Sequence, residues 1–318
     1  MSILSSPAAP VALIAGPTAS GKSAIAMELA RALAEIGRRG VIVNADSAQV
    51  YADLHILSAR PSQEEMDEIE HRLFGAWDGS EACSAAAWAA RAKAEIADIH
   101  DAGGVPILVG GTGLYLKVLF EGIAPIPEID PDIRAAVRAM DEDAAYKLLK
   151  LEDPLRAAQL DPGDRQRIAR ALEVKRSTGV TLADWQLARA GGIGEEVTIH
   201  PLVLLPDRTW LYQRCDLRFE AMLEEGAIAE VEALLARGLD PDLPVMRAIG
   251  VPEIAAYLGG KIDAATMIAA GQQATRNYAK RQFTWFRRQP PVEWHRIDPG
   301  MAFENIDFDT HFASLLRN

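Results

Sequence analysis

The chain has 318 residues, of which 49% are hydrophobic and 25% are charged, a balance that fits one large or two smaller globular domains. Its net charge of −12 argues against a general nucleic-acid binder, no apolar run approaches the ~20 residues of a membrane span, and the start lacks a signal peptide's charged region. Two cysteines, Cys83 and Cys215, are too few for a zinc site or a disulfide framework, so we expect plain thiols and a cytoplasmic protein.

The first predicted elements are a buried strand at 11–15, a glycine-rich loop and a helix at 24–34. The loop fits the phosphate-binding pattern G-x-x-x-x-G-K-[ST], in which backbone N–H groups and the helix N-terminus surround a phosphate. Lys22 can reach the outer phosphate oxygens, and Ser23 can offer its hydroxyl to Mg²⁺. We therefore predict a site for a ligand that carries a pyrophosphate group, with Ser23 as the metal ligand. Its residues are Gly16, Pro17, Thr18, Ala19, Ser20, Gly21, Lys22 and Ser23.

Three further strands are predicted at 41–45, 105–109 and 202–205, with a helix at 84–101 between two of them. Alternating strands and helices predict an α/β fold, a P-loop NTPase-like parallel sheet flanked by helices. Ligands of such sheets bind at the carboxyl ends of the strands. The phosphate loop, the segment Asp46–Gln49 and the turn Gly110–Thr112 are therefore expected at one edge.

The pattern changes after Phe120. A proline-rich linker at 121–131 precedes a stretch to Ala190 that contains only helical patterns, at 132–140, 143–150, 154–160, 164–178 and 181–189. We predict an all-helical insertion domain at 127–198 within a core domain formed by 1–126 and 199–318. A second helical section is predicted at 210–289.

Positive charge concentrates in two stretches of this acidic chain, 156–176 and 274–296. On composition alone, each is either a solvated helix face or a local footprint for RNA.

The reaction class stays open from the phosphate loop alone, because most proteins with this loop hydrolyse or transfer from nucleoside triphosphates. A regulatory GTPase would need an N-K-x-D motif, which is absent. Asp46 could hold Mg²⁺ as in an ATPase. However, the polar cluster Asp46, Ser47, Ala48 and Gln49 also suits reading the edge of a nucleobase.

Six motifs, in order along nearly the whole chain, resemble the tRNA dimethylallyltransferase (tRNA isopentenyltransferase) family, in its bacterial form without a C-terminal zinc finger. They are Gly-Pro-Thr-Ala-Ser-Gly-Lys-Ser at 16–23, Asp-Ser-x-Gln-x-Tyr at 46–51, Val-Gly-Gly-Thr-Gly-Leu-Tyr at 109–115, Asp-Arg-Gln-Arg-Ile-Ala-Arg-Ala-Leu-Glu-Val at 164–174, Arg-Phe with Met-Leu at 218–223, and Ala-Thr-Arg-Asn-Tyr-Ala-Lys-Arg-Gln at 274–282.

The resemblance implies that the phosphate loop holds the diphosphate of dimethylallyl diphosphate. The prenyl group would pass to the exocyclic amine of the adenosine 3′ of the anticodon in tRNA, and diphosphate would leave. Asp46 is implied as the general base. Lys22, Mg²⁺ on Ser23, and Arg218 would stabilise the leaving group, and Thr112 would order the amine and the diphosphate.

The same resemblance implies that the helical insertion grips the anticodon stem-loop. The implied tRNA-binding residues are Asp46, Ser47, Ala48, Gln49, Thr112, Arg134, Gln166, Arg167, Ile168, Ala169, Arg170, Arg247, Arg276, Lys280 and Arg281. The alternative for the insertion's arginines is pairing with Asp161, Asp164 or Glu173, chiefly for Arg165. Trp285 and Phe286 are expected in the core, and the chain gives no sign of obligate oligomerisation, so a monomer is expected.

Two segments depart from the family. Arg247 and Gly250 match an RNA-contacting stretch, but Val251-Pro252 replaces its aromatic and second basic residue. Arg60 keeps the charge of a family lysine. Three other functions stay open: a prenyltransferase acting on free adenine nucleotides (AMP or ATP), a metabolite kinase with this phosphate loop, and a non-catalytic RNA-binding module.

Overall fold

A six-stranded parallel sheet organises the protein, for which a computed structural model describes residues 9–298 and 308–316. The strands follow the order β3-β2-β4-β1-β5-β6, and every neighbouring pair is parallel. Their bounds are Ala9–Ala15 (β1), Gly40–Asn44 (β2), His71–Arg72 (β3), Val105–Gly110 (β4), Val197–Leu204 (β5) and His295–Ile297 (β6). The predicted α/β class is confirmed.

The central strand β1 is a continuous apolar run because both of its neighbours and both faces of the sheet shield it from water. It pairs with β4 through Ala12 and Ile107, and with β5 through Ile14 and Leu202. All residues from 11 to 15 are fully buried. The first helix covers one face of the sheet through apolar side chains that include Leu29 and Leu33.

Contacts divide the chain into two compact units, Met1–Leu119 with Gly194–Asn318, and Phe120–Ile193. In the first unit the helices are Lys22–Glu35 (α1), Gln63–Glu68 (α2), Ala85–Asp101 (α3) and Gly113–Glu121 (α4), whose last two residues belong to the second unit. After the second unit come Arg208–Glu224 (α10), Ala227–Ala236 (α11), Val251–Leu258 (α12), Ala264–Arg288 (α13), Phe308–His311 (α14) and Ala313–Leu316 (α15), with a 3-10 helix at Pro244–Arg247.

The second unit has a hydrophobic core of its own, to which Leu149, Ile168 and Leu172 belong. Its helices are Pro131–Arg138 (α5), Glu142–Glu152 (α6), Pro154–Ala157 (α7), Arg165–Thr178 (α8) and Leu182–Leu187 (α9). The insertion predicted at 127–198 overlaps this unit, and both the predicted domain division and its assignment as an RNA-binding domain stay predictions.

The structure differs from the sequence prediction mainly at element ends. β5 begins at Val197 instead of Leu202, and the helix predicted at 154–160 ends at Ala157. The short strands β3 and β6 and the helix α2 were not predicted. Phe286 is buried as expected, whereas Trp285 is half-buried. Among the described residues, no helix is long and apolar enough to cross a membrane.

Candidate active site

A cavity of about 570 Å³ lies at the carboxyl edge of the sheet, within the first unit. Its walls come from the phosphate loop, the turn after β2, the segment 54–61, α10, the segment 244–249 and α13. Within the described part of the chain, six cationic side chains and two carboxylates line it: Lys22, Arg60, Arg214, Arg218, Arg247 and Arg281, with Asp46 and Glu65. Cations therefore outnumber anions, which suits a negatively charged ligand.

The phosphate loop turns into α1 at Gly21, whose φ of 89° lies in the left-handed region that favours glycine. Among the described residues, no side chain caps the N-terminus of α1, so its first N–H groups are available to an anion. Of the eight predicted residues, five line the cavity: Thr18, Ala19, Gly21, Lys22 and Ser23. Gly16, Pro17 and Ser20 are not among the lining residues, and Ser20 is fully buried.

Lys22 is the cation at the base of the loop. Its Nζ donates a hydrogen bond to the carbonyl oxygen of Pro17 over 2.6 Å. Burial lowers the pKa of Lys22 to about 8; the Asp46 carboxylate opposes this shift and the Arg218 guanidinium adds to it. Because burial removes water from the Lys22 ammonium group, a bound anion would stabilise its charged form.

Two arginines one turn apart on α10 extend this positive region. Arg214 donates from Nε to the carbonyl oxygen of Ala19 over 3.0 Å and lies over the Trp210 ring. Arg218 is half-buried, and burial lowers its pKa against the raising effect of Asp46. The predicted leaving-group residues Lys22 and Arg218 therefore share one wall.

Asp46 follows the end of β2, where the buried side chain of Asn44 fixes the backbone. Asn44 Oδ1 accepts from the Asp46 N–H over 2.8 Å, and its Nδ2 donates to the carbonyl oxygens of Asp46 and Leu73. Asp46 Oδ1 in turn accepts from the Ala48 N–H over 3.0 Å. The carboxylate is thus half-buried and held in a defined turn at the cavity wall.

Thr112 lies two residues after the end of the neighbouring strand β4 and does not belong to the cavity lining. Its Oγ1 accepts from the Ser47 N–H over 2.9 Å and donates to the Ser47 hydroxyl over 3.1 Å. The Tyr278 phenol also lies against the side chains of Thr112 and Ser47. Burial and the Asp46 carboxylate raise the pKa of Tyr278, so the phenol stays protonated. In this arrangement Thr112 orients the turn that carries Asp46.

Gln49 and residues of the segment 54–61 form another part of the cavity lining. Gln49 Nε2 donates to the carbonyl oxygens of Ser58 and Ala59, so its amide is engaged by the chain itself. Glu230 on α11 accepts from three consecutive backbone N–H groups, those of His55, Ile56 and Leu57. Hydrogen bonds to Gln49 and to Glu230 therefore hold the segment 54–61 in place.

The cations predicted to contact tRNA from α13 and its surroundings fall into different settings. Arg281 lines the cavity and lies 5.6 Å from the centre of the Tyr278 ring, and Lys280 is exposed. Arg276 forms an ion pair with Asp216 and is not part of the lining. Arg247 lines the cavity and pairs with Asp242. Only Arg247 and Arg281 among these four reach the cavity.

The remaining predicted tRNA residues lie in the second unit. On α8, Gln166 and Arg167 are exposed, Ala169 and Arg170 are half-buried, and Ile168 is 1% exposed within the core. The side chain of Ile168 is therefore unavailable to RNA, because it packs with the apolar face of its helix. Arg134 on α5 is half-buried.

The ion pairs on α8 involve other arginines than Arg165, for which pairing was chiefly expected. Arg167 and Arg170 pair with Asp164 and Glu173, each three residues away, at 3.3 and 3.8 Å. Arg165 instead donates to the carbonyl oxygen of Arg138. The reason is that Asp164 caps the helix and faces its third residue, Arg167.

Four residues of the cavity region were given no role from the sequence: Arg214, Tyr278, Gln282 and Glu230. Tyr278 and Gln282 lie within the 274–282 motif. Arg214 precedes Arg218 by one turn, and Tyr278 and Gln282 lie four residues apart on α13, so helical spacing was an available signal. Glu230 offered none, because its partners are backbone groups.

Comparisons with known proteins point to one family. The profile of the family described as IPP transferase matches residues 49–289. A tRNA dimethylallyltransferase from Erythrobacter litoralis is 66% identical over 289 residues, which is 91% of each chain. The crystal structure of a full-length tRNA isopentenylpyrophosphate transferase from Bacillus halodurans superposes with a TM-score of 0.69 at 31% identity, covering 96% of both chains. A eukaryotic dimethylallyltransferase acting on tRNA gives 0.77 at 27% identity, covering 96% of this chain and 77% of that one.

The parallel sheet and the loop between β1 and α1 define a protein of the P-loop class. Within that class, the chain belongs to the IPP transferase family.

Proposed function

We propose that the protein transfers the dimethylallyl group from dimethylallyl diphosphate to the exocyclic amine of the adenosine 3′-adjacent to the anticodon in tRNA, releasing diphosphate. The observation that carries this proposal is that one cavity joins the phosphate loop, the Asp46 carboxylate and an apolar wall. Leu54, Leu57, Phe219, Met222 and Ile249 contribute to that wall. A five-carbon prenyl group needs such a surface, whereas the phosphates need the cationic side.

The leaving group is the first electrostatic task. As the bond between the allylic carbon and the diphosphate oxygen breaks, negative charge develops on the diphosphate. Lys22, the N–H groups at the start of α1, and Arg218 lie on the cavity wall to stabilise this charge. Groups fixed in advance in a partly buried site do this without reorganisation.

The second task is to remove a proton from the nucleophile. The adenosine amine forms the new C–N bond with its lone pair, and a proton must leave the nitrogen. Asp46 is the carboxylate that the Asn44 turn holds at the cavity wall, and it accepts that proton. The products are then the prenylated adenosine, diphosphate and a protonated Asp46, which returns its proton to water.

A Mg²⁺ ion fits the phosphate end. The described residues contain no cluster of three or more His, Cys, Asp or Glu side chains that could hold a metal. Mg²⁺ that is bound with a diphosphate, however, needs few protein ligands, and the Ser23 hydroxyl at the cavity wall is a suitable oxygen donor. When bound, the ion would neutralise charge on the diphosphate.

The tRNA is gripped, on this proposal, by two cationic surfaces. One is the cavity side with Arg247 and Arg281, and the other is the exposed face of α8 with Gln166 and Arg167. The target adenosine must leave its stack to enter a cavity, which costs less in a loop than in a duplex. We further propose a monomer in the cytoplasm.

The test incubates the protein with dimethylallyl diphosphate, Mg²⁺ and an anticodon stem-loop, followed by mass analysis of the nucleosides. We expect one prenyl group on the adenosine 3′ of the anticodon. AMP at equal concentration competes poorly if the RNA surfaces contribute. Efficient prenylation of AMP and none of the stem-loop would contradict the proposal, as would phosphoryl transfer from ATP to either substrate.

A further inference from the structure

Gln282 connects two loops that meet at the cavity. Its side chain is only 5% exposed, and both ends of its amide are engaged. Oε1 accepts from the backbone N–H of Thr18 over 2.7 Å, and Nε2 donates to the carbonyl oxygen of Gly111 over 2.9 Å. One buried amide therefore joins the phosphate loop after β1 to the glycine turn after β4.

The glycines of the turn after β4 leave space for α13 to pack closely against it. A Cβ atom on Gly111 would lie 2.2 Å from Gln282 Nε2, and one on Gly113 would lie 2.3 Å from the Trp285 ring. A side chain at Gly111 would displace the Gln282 amide from the Gly111 carbonyl oxygen, and one at Gly113 would displace the Trp285 ring. The two glycines thus allow α13 to lie directly on the turn, where an amide can reach its carbonyl oxygen.

The same face of α13 also reaches the turn that carries Asp46. Tyr278, one helical turn before Gln282, lies against the side chains of Ser47 and Thr112. The loops after β1, β2 and β4 are therefore all tied to one helix face. The distance between the leaving group and the base depends on how these three loops are held.

We propose that Gln282 is a positioning residue for the prenyl transfer, one that fixes the phosphate loop relative to the Gly111–Thr112 turn and hence to Asp46. This inference rests on the proposed function. Its physical basis is that a misplacement of about 1 Å between reacting groups costs roughly 100-fold in rate, while a buried amide with both ends bonded allows one orientation only.

Two substitutions at Gln282 separate the effects of its hydrogen bonds to Thr18 and Gly111. Gln282→Met keeps the length of the side chain and removes both hydrogen bonds. Gln282→Glu keeps the acceptor for the Thr18 N–H but loses the donor to Gly111, unless the carboxyl is protonated. Gln289→Met, at the exposed end of the same helix, is the matched control.

We expect Gln282→Met to lower kcat about 100-fold, with inorganic pyrophosphate binding by calorimetry weakened several-fold. Gln282→Glu should bind pyrophosphate more like wild type and still lose kcat. Because a buried carboxyl beside a carbonyl oxygen has a raised pKa, its kcat relative to wild type should rise as pH falls from about 8 to about 6. Gln289→Met should match wild type throughout.

Thermal unfolding and circular dichroism establish the folded fraction of each variant at the assay temperature. Should Gln282→Met fail to fold, Gln282→Glu and its pH profile decide alone. A kcat loss below tenfold per folded molecule would overturn the inference, and so would a Gln282→Glu variant without recovery at low pH. Absence of prenylation by the wild-type protein would instead contradict the proposed function.

Discussion

The cavity and the α8 surface use charged residues in opposite ways. In the cavity, Asp46 is oriented by backbone and buried side-chain hydrogen bonds, and Lys22 keeps its charge despite burial. On α8, Arg167 is 70% exposed and pairs with Asp164 across a single helical turn. The cavity arrangement fixes the distances between charged groups, although burying those groups costs solvation free energy. The α8 arrangement leaves the arginine side chain free to move. Catalysis needs fixed distances, whereas contact with a phosphate backbone tolerates a mobile cation.

One buried carboxylate makes the contrast less simple. Glu173 on α8 is 4% exposed and accepts from Arg138 Nε over 3.1 Å while Arg170 lies 3.8 Å away. Arg138 itself is 67% exposed. In the insertion, some cations therefore pair with a buried carboxylate, whereas others, such as Arg167, pair only with a carboxylate at the surface.

The largest effect that this comparison predicts is at Asp46. Asp46→Asn keeps the size and the bond to the Ala48 N–H but cannot take a proton from the amine. We expect kcat to fall on the order of 1,000-fold, while the stem-loop dissociation constant changes less than about threefold. Glu65→Gln, the other carboxylate of the lining, is the control and should keep most of its activity. Equal losses in the two variants would remove the special role of Asp46.

The second prediction concerns Lys22 and pH. Free Lys22 is charged below its pKa of about 8 and neutral above it, so binding a pyrophosphate above that pH requires proton uptake. We expect wild-type affinity to decline above pH about 8, by up to tenfold per unit, relative to Lys22→Met. At neutral pH, the variant should bind pyrophosphate about 30-fold more weakly, as a lost charge-assisted bond implies. Parallel pH profiles for both proteins, measured by calorimetry, would argue against this assignment.

The third prediction tests the exposed surface. Arg167→Ala should weaken stem-loop binding several-fold and reduce the slope of log K against log salt by about 1, with kcat at saturating RNA unchanged. Lys261→Ala removes an exposed cation in the other unit and serves as the control. An unchanged salt slope in the Arg167 variant would exclude that residue from the interface.

The smallest effect is expected at Glu230, which holds the cavity wall at 55–57. Glu230→Gln places an N–H₂ group against backbone N–H donors and should cost about 1–2 kcal/mol of stability, with KM for the stem-loop raised about threefold. Glu232→Gln, exposed on the same helix, is the control. If melting temperature and KM stay at their wild-type values, the carboxylate does not hold this wall.

The sequence predicted the sheet, the phosphate loop and the position of Asp46 because each depends on local pattern. A buried strand followed by glycines is visible within twenty residues, and parallel strands bring their ends together. β3 and β6, with two and three residues, are too short to show a periodicity. The Gln282 contacts could not be predicted, since they join residues 264 and 171 positions apart in the chain. The pairing of Arg167 instead of Arg165 depends on the cap geometry at Asp164.

The position of Gln282 late in the chain has a consequence for biosynthesis. The phosphate loop, Asp46 and the glycine turn all lie within the first 113 residues, yet the amide that joins them is at 282. Closing so long a segment costs on the order of 5 kcal/mol in chain entropy, to be recovered only when α13 can pack. Translation must therefore proceed past the end of α13 at Arg288 before these loops acquire their final spacing. Nascent chains that stop short of α13 are expected to hold a phosphate loop without catalytic competence.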